Sequence, residues 1–185
     1  MTRLGLPRAE CPEQVGLSSA RLANLTATLE HDVERRLIPG AVLLIARHGR
    51  LAYAEAVGWR DREAEAPMPA DAIFRIASMT KPMTSVAAMM LAEEGRLQIA
   101  APVADYIPEL KDMRVGVERA PARRTMTVQD LLRHTSGLTY AAFGDSPVQQ
   151  IWREEKLMDE GQTNAELIGK LARLPLMFEP GTTWE

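Results

Sequence analysis

The sequence predicts a mixed α/β (α+β) fold: an antiparallel sheet flanked by helices, joined to an all-helical region. Three observations predict it. Two apolar runs, Ala41–Ala46 and Leu51–Trp59, flank the polar stretch Arg47-His-Gly-Arg50, and paired runs about a glycine-containing turn read as a β-hairpin. A helical stripe precedes them. Several helical patterns follow, with no strong strand pattern after residue 60. An isolated hairpin is marginal in water and wants more strands beside it. Residues 1–185 are therefore expected to be the N-terminal part of one domain. Residues 17–78 would supply a helix and the hairpin of the sheet region, and 79–175 a mainly helical region, with later strands missing.

Leu22, Leu25, Leu29 and Val33 recur at helical spacing behind Ser18 and Ser19, either of which can cap a helix. Pro39-Gly40 is expected to stop it. Between the two strand runs His48 falls in the turn. Residues 60–72 are charged and Pro-rich, a loop. From Met79 to Glu94, Met83, Val86, Ala87, Met90 and Leu91 form one apolar stripe, with Ala and Met on the other faces. That pattern predicts a helix buried nearly all round. Ser146-Pro147 reads as a cap and first turn before Val148, Ile151 and Trp152. Thr163 and Glu166 form a capping box before Leu167, Ile168, Leu171 and Leu174.

A formal charge of −3 gives no global footprint for nucleic acid. The cluster Lys111, Arg114, Arg119, Arg123 and Arg124 is broken by Glu118 and lacks interleaved aromatics, so it reads as a solvated loop. The single cysteine, Cys11, allows no internal disulfide and fits a reducing compartment. Met1–Pro12 has no apolar core of a signal peptide, and no apolar run is long enough to span a bilayer. A cytoplasmic location without membrane contact is expected.

Ser78-Met79-Thr80-Lys81 is an S-x-x-K pattern at the start of the 79–94 helix. Side chains three residues apart on a helix share a face, so the lysine amine can reach the serine oxygen. A serine hydroxyl is a weak nucleophile until a base takes its proton. A neutral lysine can do so, and burial disfavours its charged form. The helix N-terminus also offers N–H groups to a developing oxyanion. With six serines and four lysines in 185 residues, about 0.13 chance matches are expected, so the bare pattern is weak. A serine cap with a lysine snorkelling from the first turn stands beside the catalytic reading.

Longer segments carry a resemblance. Phe74-Arg-Ile-Ala-Ser-Met-Thr-Lys-Pro-Met-Thr84 resembles the active-site segment of serine hydrolases related to class C β-lactamases and penicillin-binding proteins. It is most similar to their carboxylesterase branch, the family VIII esterases. Glu94-Gly-Arg-Leu97, Pro102-Val-Ala-Asp-Tyr-Ile-Pro108, Thr127-Val-Gln-Asp-Leu-Leu-Arg-His-Thr-Ser-Gly-Leu138 and Phe178-Glu-Pro-Gly-Thr-Thr183 match further segments in order. The resemblance implies a β-lactamase/transpeptidase-like fold, with Ser78 as acyl-forming nucleophile and Lys81 as its base. Tyr140 matches a pocket-lining position of the esterase branch. A further tyrosine and a third motif strand are implied beyond Glu185.

His134 invites a Ser-His reading, but the resembling segment implies a packing or turn role, and Ser136 suits a turn before Gly137. His31, His48 and His134 show no paired metal-ligand spacing. The expected activity of the complete protein is hydrolysis of small esters through an acyl-enzyme on Ser78, without metal or organic cofactor. One alternative is a β-lactamase or D-amino-peptide hydrolase using the same residues. Another is an inactive fragment. A second polypeptide carrying the C-terminal half is a possible partner, beside a small ester substrate.

Overall fold

Ser18 Oγ accepts from the Arg21 amide at 3.4 Å and starts α1 (Ser19–Glu34). This is seen in a computed structural model that describes residues 5–185. The start of the Met1–Pro12 leader reading thus lies outside the described residues. The helix stops before Pro39-Gly40. Arg36 takes a left-handed φ of 60°, and the Leu37 amide closes onto Asp32 O at 2.9 Å. The turn is finished by backbone hydrogen bonds, and a proline is not needed to break it.

β1 (Gly40–Arg47) and β2 (Arg50–Asp61) pair antiparallel, with Gly40 opposite Gly58 and a register shift between Ile45 and Ala46. His48, at φ 51°, and Gly49, at φ 70°, make the turn. Gly58 has φ 71°, and a Cβ there would approach Pro39 O to 2.6 Å. The close pairing with Gly40 therefore excludes a side chain. α1 lies on β2: Leu22, Leu51, Tyr53 and Val57 are buried together with Val15. The Tyr53 hydroxyl and Thr26 Oγ1 share a hydrogen bond across that face. A two-residue β3 (Ala66–Pro67) adds a third strand beside β2, inside the segment read as loop.

The chain divides after Ile76. The second unit, Ala77–Glu185, holds α2 (Thr80–Glu93), β4 (Arg114–Val115), β5 (Ala120–Pro121), α3 (Val128–Leu132), α4 (Pro147–Glu154) and α5 (Asn164–Arg173). Thr127, Ser146 and Thr163 each cap a helix through a full capping box. One core cluster joins Val103, Leu110, Met113, Met126 and Leu176; the other joins Val148, Trp152 and Leu174. Trp152 Nε1 donates to Pro175 O at 2.8 Å, so the buried indole is satisfied.

Two sequence expectations fail here. Strands do follow residue 60, but β3, β4 and β5 have two residues each. Pieces that short carry no alternation to read. And α2 has no buried residue. Met83, Val86 and Met90 are each more than half exposed. Apolar composition reports a helix's preference for burial, whereas burial itself needs a neighbour, and the described residues leave this face of α2 uncovered.

Candidate active site

The approach to α2 is a 3₁₀ turn, Ala77–Met79, entered through Ala77 at φ 45°. A left-handed alanine costs on the order of 1–3 kcal/mol. It sets Ser78 at the mouth of the helix. One turn later, Lys81 Nζ donates to Ser78 Oγ at 2.9 Å. With a neutral amine the same separation lets the hydroxyl donate to the nitrogen, the direction that general-base chemistry requires. Ser78 is exposed, as is the face of α2 that follows it.

Ser78 borders a cavity of about 500 Å³, walled by Tyr140, Ala141, Ala142, Phe143, Leu157 and Met158 with Arg153 and Lys156 at its edge. Lys81 borders a second cavity of about 530 Å³ with Thr80, Thr84, Leu131, His134, Ser136 and Glu185. Thr139, Tyr140, Trp152, Leu157 and Met158 belong to both. Tyr140 thus stands between Ser78's cavity and Lys81's, its ring packed edge-on against Phe143 at 5.6 Å.

The loop carrying Phe143 is clamped. Arg153 donates to Ala141 O at 2.9 Å, to Gly144 O and to Asp145 Oδ1 at 2.7 Å; Gln149 Nε2 donates to Phe143 O at 2.9 Å. The hydrogen bond and charge of Arg153 hold the Asp145 carboxyl below its ordinary pKa. Sequence reasoning missed this loop because its contributors, Phe143, Leu157 and Met158, carry no catalytic chemistry. The one signal was a pair of apolar segments flanking the Ser146 cap.

The other wall is set by Asp130, only 4% exposed. Burial alone would raise its carboxyl, but hydrogen bonds from Arg124, Thr127 and Thr135 outweigh it and bring the pKa to about 2. The Thr135 bond fixes the segment that follows. Gly181 N donates to Thr135 O at 2.6 Å, and Met177 N to Gly137 O at 2.7 Å. Gly137 has φ 85°, and a Cβ there would strike Phe178 O. His134, also left-handed at φ 57°, places Nδ1 3.2 Å from Glu185 O and its ring against Trp184. Thr139 Oγ1 donates to the Glu185 carboxylate.

Cys11 is exposed. No group of His, Cys, Asp or Glu among the described residues is placed to hold a metal ion. No helix among them is long and apolar enough to cross a membrane.

An antiparallel sheet with a helix on it, and a serine–lysine pair entering a second helix, define the class. The chain belongs to the Beta-lactamase family, whose sequence model matches residues 25–185. Among curated proteins it is 36% identical over 162 residues to Protein Rv1367c of Mycobacterium tuberculosis, covering 84% of this chain and 40% of that one. It is 35% identical over 177 residues to Esterase EstB of Burkholderia gladioli, covering 94% of this chain and 44% of that one. A solved structure described as "EstCE1, a hydrolase with promiscuous acyltransferase activity" superposes with a TM-score of 0.74 at 29% identity. It covers 89% of this chain and 43% of that one. The chain thus spans less than half the length of each of these relatives.

Proposed function

We propose that this protein is a serine hydrolase that cleaves small esters through an acyl-enzyme on Ser78. The observation that carries the reading is the 2.9 Å contact between Lys81 Nζ and Ser78 Oγ at the edge of an apolar cavity. In this reading Lys81, as the neutral amine, takes the Ser78 proton while Oγ attacks the ester carbonyl. The tetrahedral intermediate collapses, the alcohol leaves with the proton from Lys81, and the acyl group stays on Oγ. Water then attacks the acyl carbon, giving its proton back through Lys81, and the acid is released. The N-terminal end of α2 supplies partial positive charge where the oxyanion develops.

The likeness to Esterase EstB supports esters as the substrate class. No cofactor enters the scheme. The reading includes a polypeptide cover for α2, a second chain or further domain, because the stripe Met83, Val86 and Met90 is exposed, and contiguous apolar surface of this kind marks a contact site. A cytoplasmic location belongs to the same proposal. Turnover of p-nitrophenyl acetate by the intact protein, abolished by Ser78→Ala, is the test; wild-type rates in that variant would refute the assignment.

A further inference from the structure

Two members of the basic sequence cluster, Arg114 and Arg119, converge on a third arginine far along the chain. Backbone hydrogen bonds sew β4 and its turn to the segment that follows α5. Leu176 N donates to Arg114 O at 2.6 Å, and Gly116 N to Leu176 O at 2.9 Å. The Arg119 amide closes the turn onto Gly116 O at 3.1 Å, with Arg119 left-handed at φ 52°. Its Nη1 donates to Arg173 O at 2.7 Å. Arg114, Arg119 and Arg173 thereby border one cavity of about 500 Å³, whose apolar lining is Ile151, Ala172 and the buried Leu174. No residue of this lining belongs to the cavities at Ser78 and Lys81.

The charges around this cavity are unequally matched. Arg173 pairs with Glu155 at 3.3 Å and donates to Gly169 O at 2.9 Å. Arg119 has a neutral carbonyl as its partner. Among the described residues, the side chains of Arg114 and Glu154 make no hydrogen bond or ion pair. Three arginines against two glutamates leave the lining one positive charge in excess. A guanidinium offers a planar fork of N–H groups that matches a phosphate or carboxylate. Two of the three forks are already held by hydrogen bonds, so binding orders few side chains anew. The Arg173–Glu155 pair is solvent-exposed on the arginine side, and a pair of that kind yields readily to an entering anion.

We propose that this cavity binds a compact oxyanion, a phosphate or carboxylate group carried on a small apolar body. The oxyanion accepts hydrogen bonds from Arg114, Arg119 and Arg173, and the body lies against Ile151, Ala172 and Leu174. Glu154 opposes the anion and limits its affinity. The site is separate from Ser78 and stands without the acyl-enzyme reading.

Titration calorimetry of the intact protein with phenyl phosphate and with benzoate, at low salt in a phosphate-free buffer, tests the site. Each is expected to bind once per chain and to compete with the other, and the tighter one identifies the group as phosphate or carboxylate. Inorganic phosphate should compete more weakly than phenyl phosphate, because it leaves the apolar lining empty. Arg114→Gln should weaken binding by about tenfold. Its melting temperature should stay unchanged, since this side chain makes no bond in the fold. Glu154→Gln should instead tighten binding by about two- to fivefold, a reversal of sign that a purely structural role would not produce. Ser78→Ala should bind as the native protein does. Absence of binding, equal affinity in Arg114→Gln, or weaker binding in Glu154→Gln overturns the proposal. Binding lost in Ser78→Ala would also overturn it, by placing the ligand in the Ser78 cavity.

Discussion

Arg124 Nη2 donates to Asp130 Oδ1 at 2.6 Å, and the same guanidinium reaches Pro180 O at 2.6 Å through Nε. Arg124 thus ties Asp130 at the start of α3 to Pro180, which lies 56 residues beyond the arginine. Asp130 also accepts from Thr135 at 3.1 Å, the residue just before the loop that walls the Lys81 cavity.

This network makes stability depend on acid. The Asp130 carboxyl is lowered from 3.8 to about 2 in the folded chain, so its contribution is present above the ordinary value and lost as pH falls through about 2. A shift of that size corresponds to about 2 kcal/mol. With the partner arginine 45% exposed, solvent screening reduces it to about 1–2 kcal/mol. Urea midpoints should fall between pH 5 and pH 2, and Asp130→Asn should remove that part of the pH dependence. An unchanged pH profile in the variant would show that Asp130 is not the responsible group.

Leu176 is fully buried between Val115 and the Met113–Met126 cluster. Leu176→Ala should cost about 2–5 kcal/mol in equilibrium unfolding. Met90→Ala, on the exposed side of α2, should change the same measurement of this chain by less than about 0.5 kcal/mol.

The exposed stripe of α2 gives the 185-residue chain a tendency to associate. Sedimentation should show oligomers that dissociate in the double variant Met83→Lys/Val86→Lys, whose residues lie three apart on one face. A monodisperse wild-type monomer at the same concentration would argue against the uncovered helix.

Lys81→Ala in the intact protein should lower ester turnover by about 10²–10⁴, the range of a lost general base, while leaving the fold intact. His134→Ala should cost far less, because its Nδ1 is engaged with Glu185 O. Equal losses would revive the Ser-His alternative. Nitrocefin should be a much poorer substrate than p-nitrophenyl acetate; the reverse order would favour the β-lactam reading of the same two residues.

What could be read from residues alone was local. The Ser18, Ser146 and Thr163 caps follow from side chains that bond amides three residues on, and the hairpin from two runs about His48-Gly49. The S-x-x-K spacing foretold the Ser78–Lys81 contact for the same reason. Hidden features depend on partners distant in sequence or on backbone angle. Arg124 sat in an apparently solvated basic loop, yet bonds across 56 residues. Ala77 gives no hint of its positive φ. The helical pattern of α2 was legible, but its exposure was not, because a pattern records what a helix could bury and not what covers it.

A nucleophilic Ser78 is read by intact-protein mass spectrometry after reaction with a small fluorophosphonate. One adduct per chain, mapped to the peptide containing Ser78 and absent from Ser78→Ala, is the predicted result. An adduct on any other residue, or a Ser78→Ala variant that labels as fast as the native protein, would contradict it.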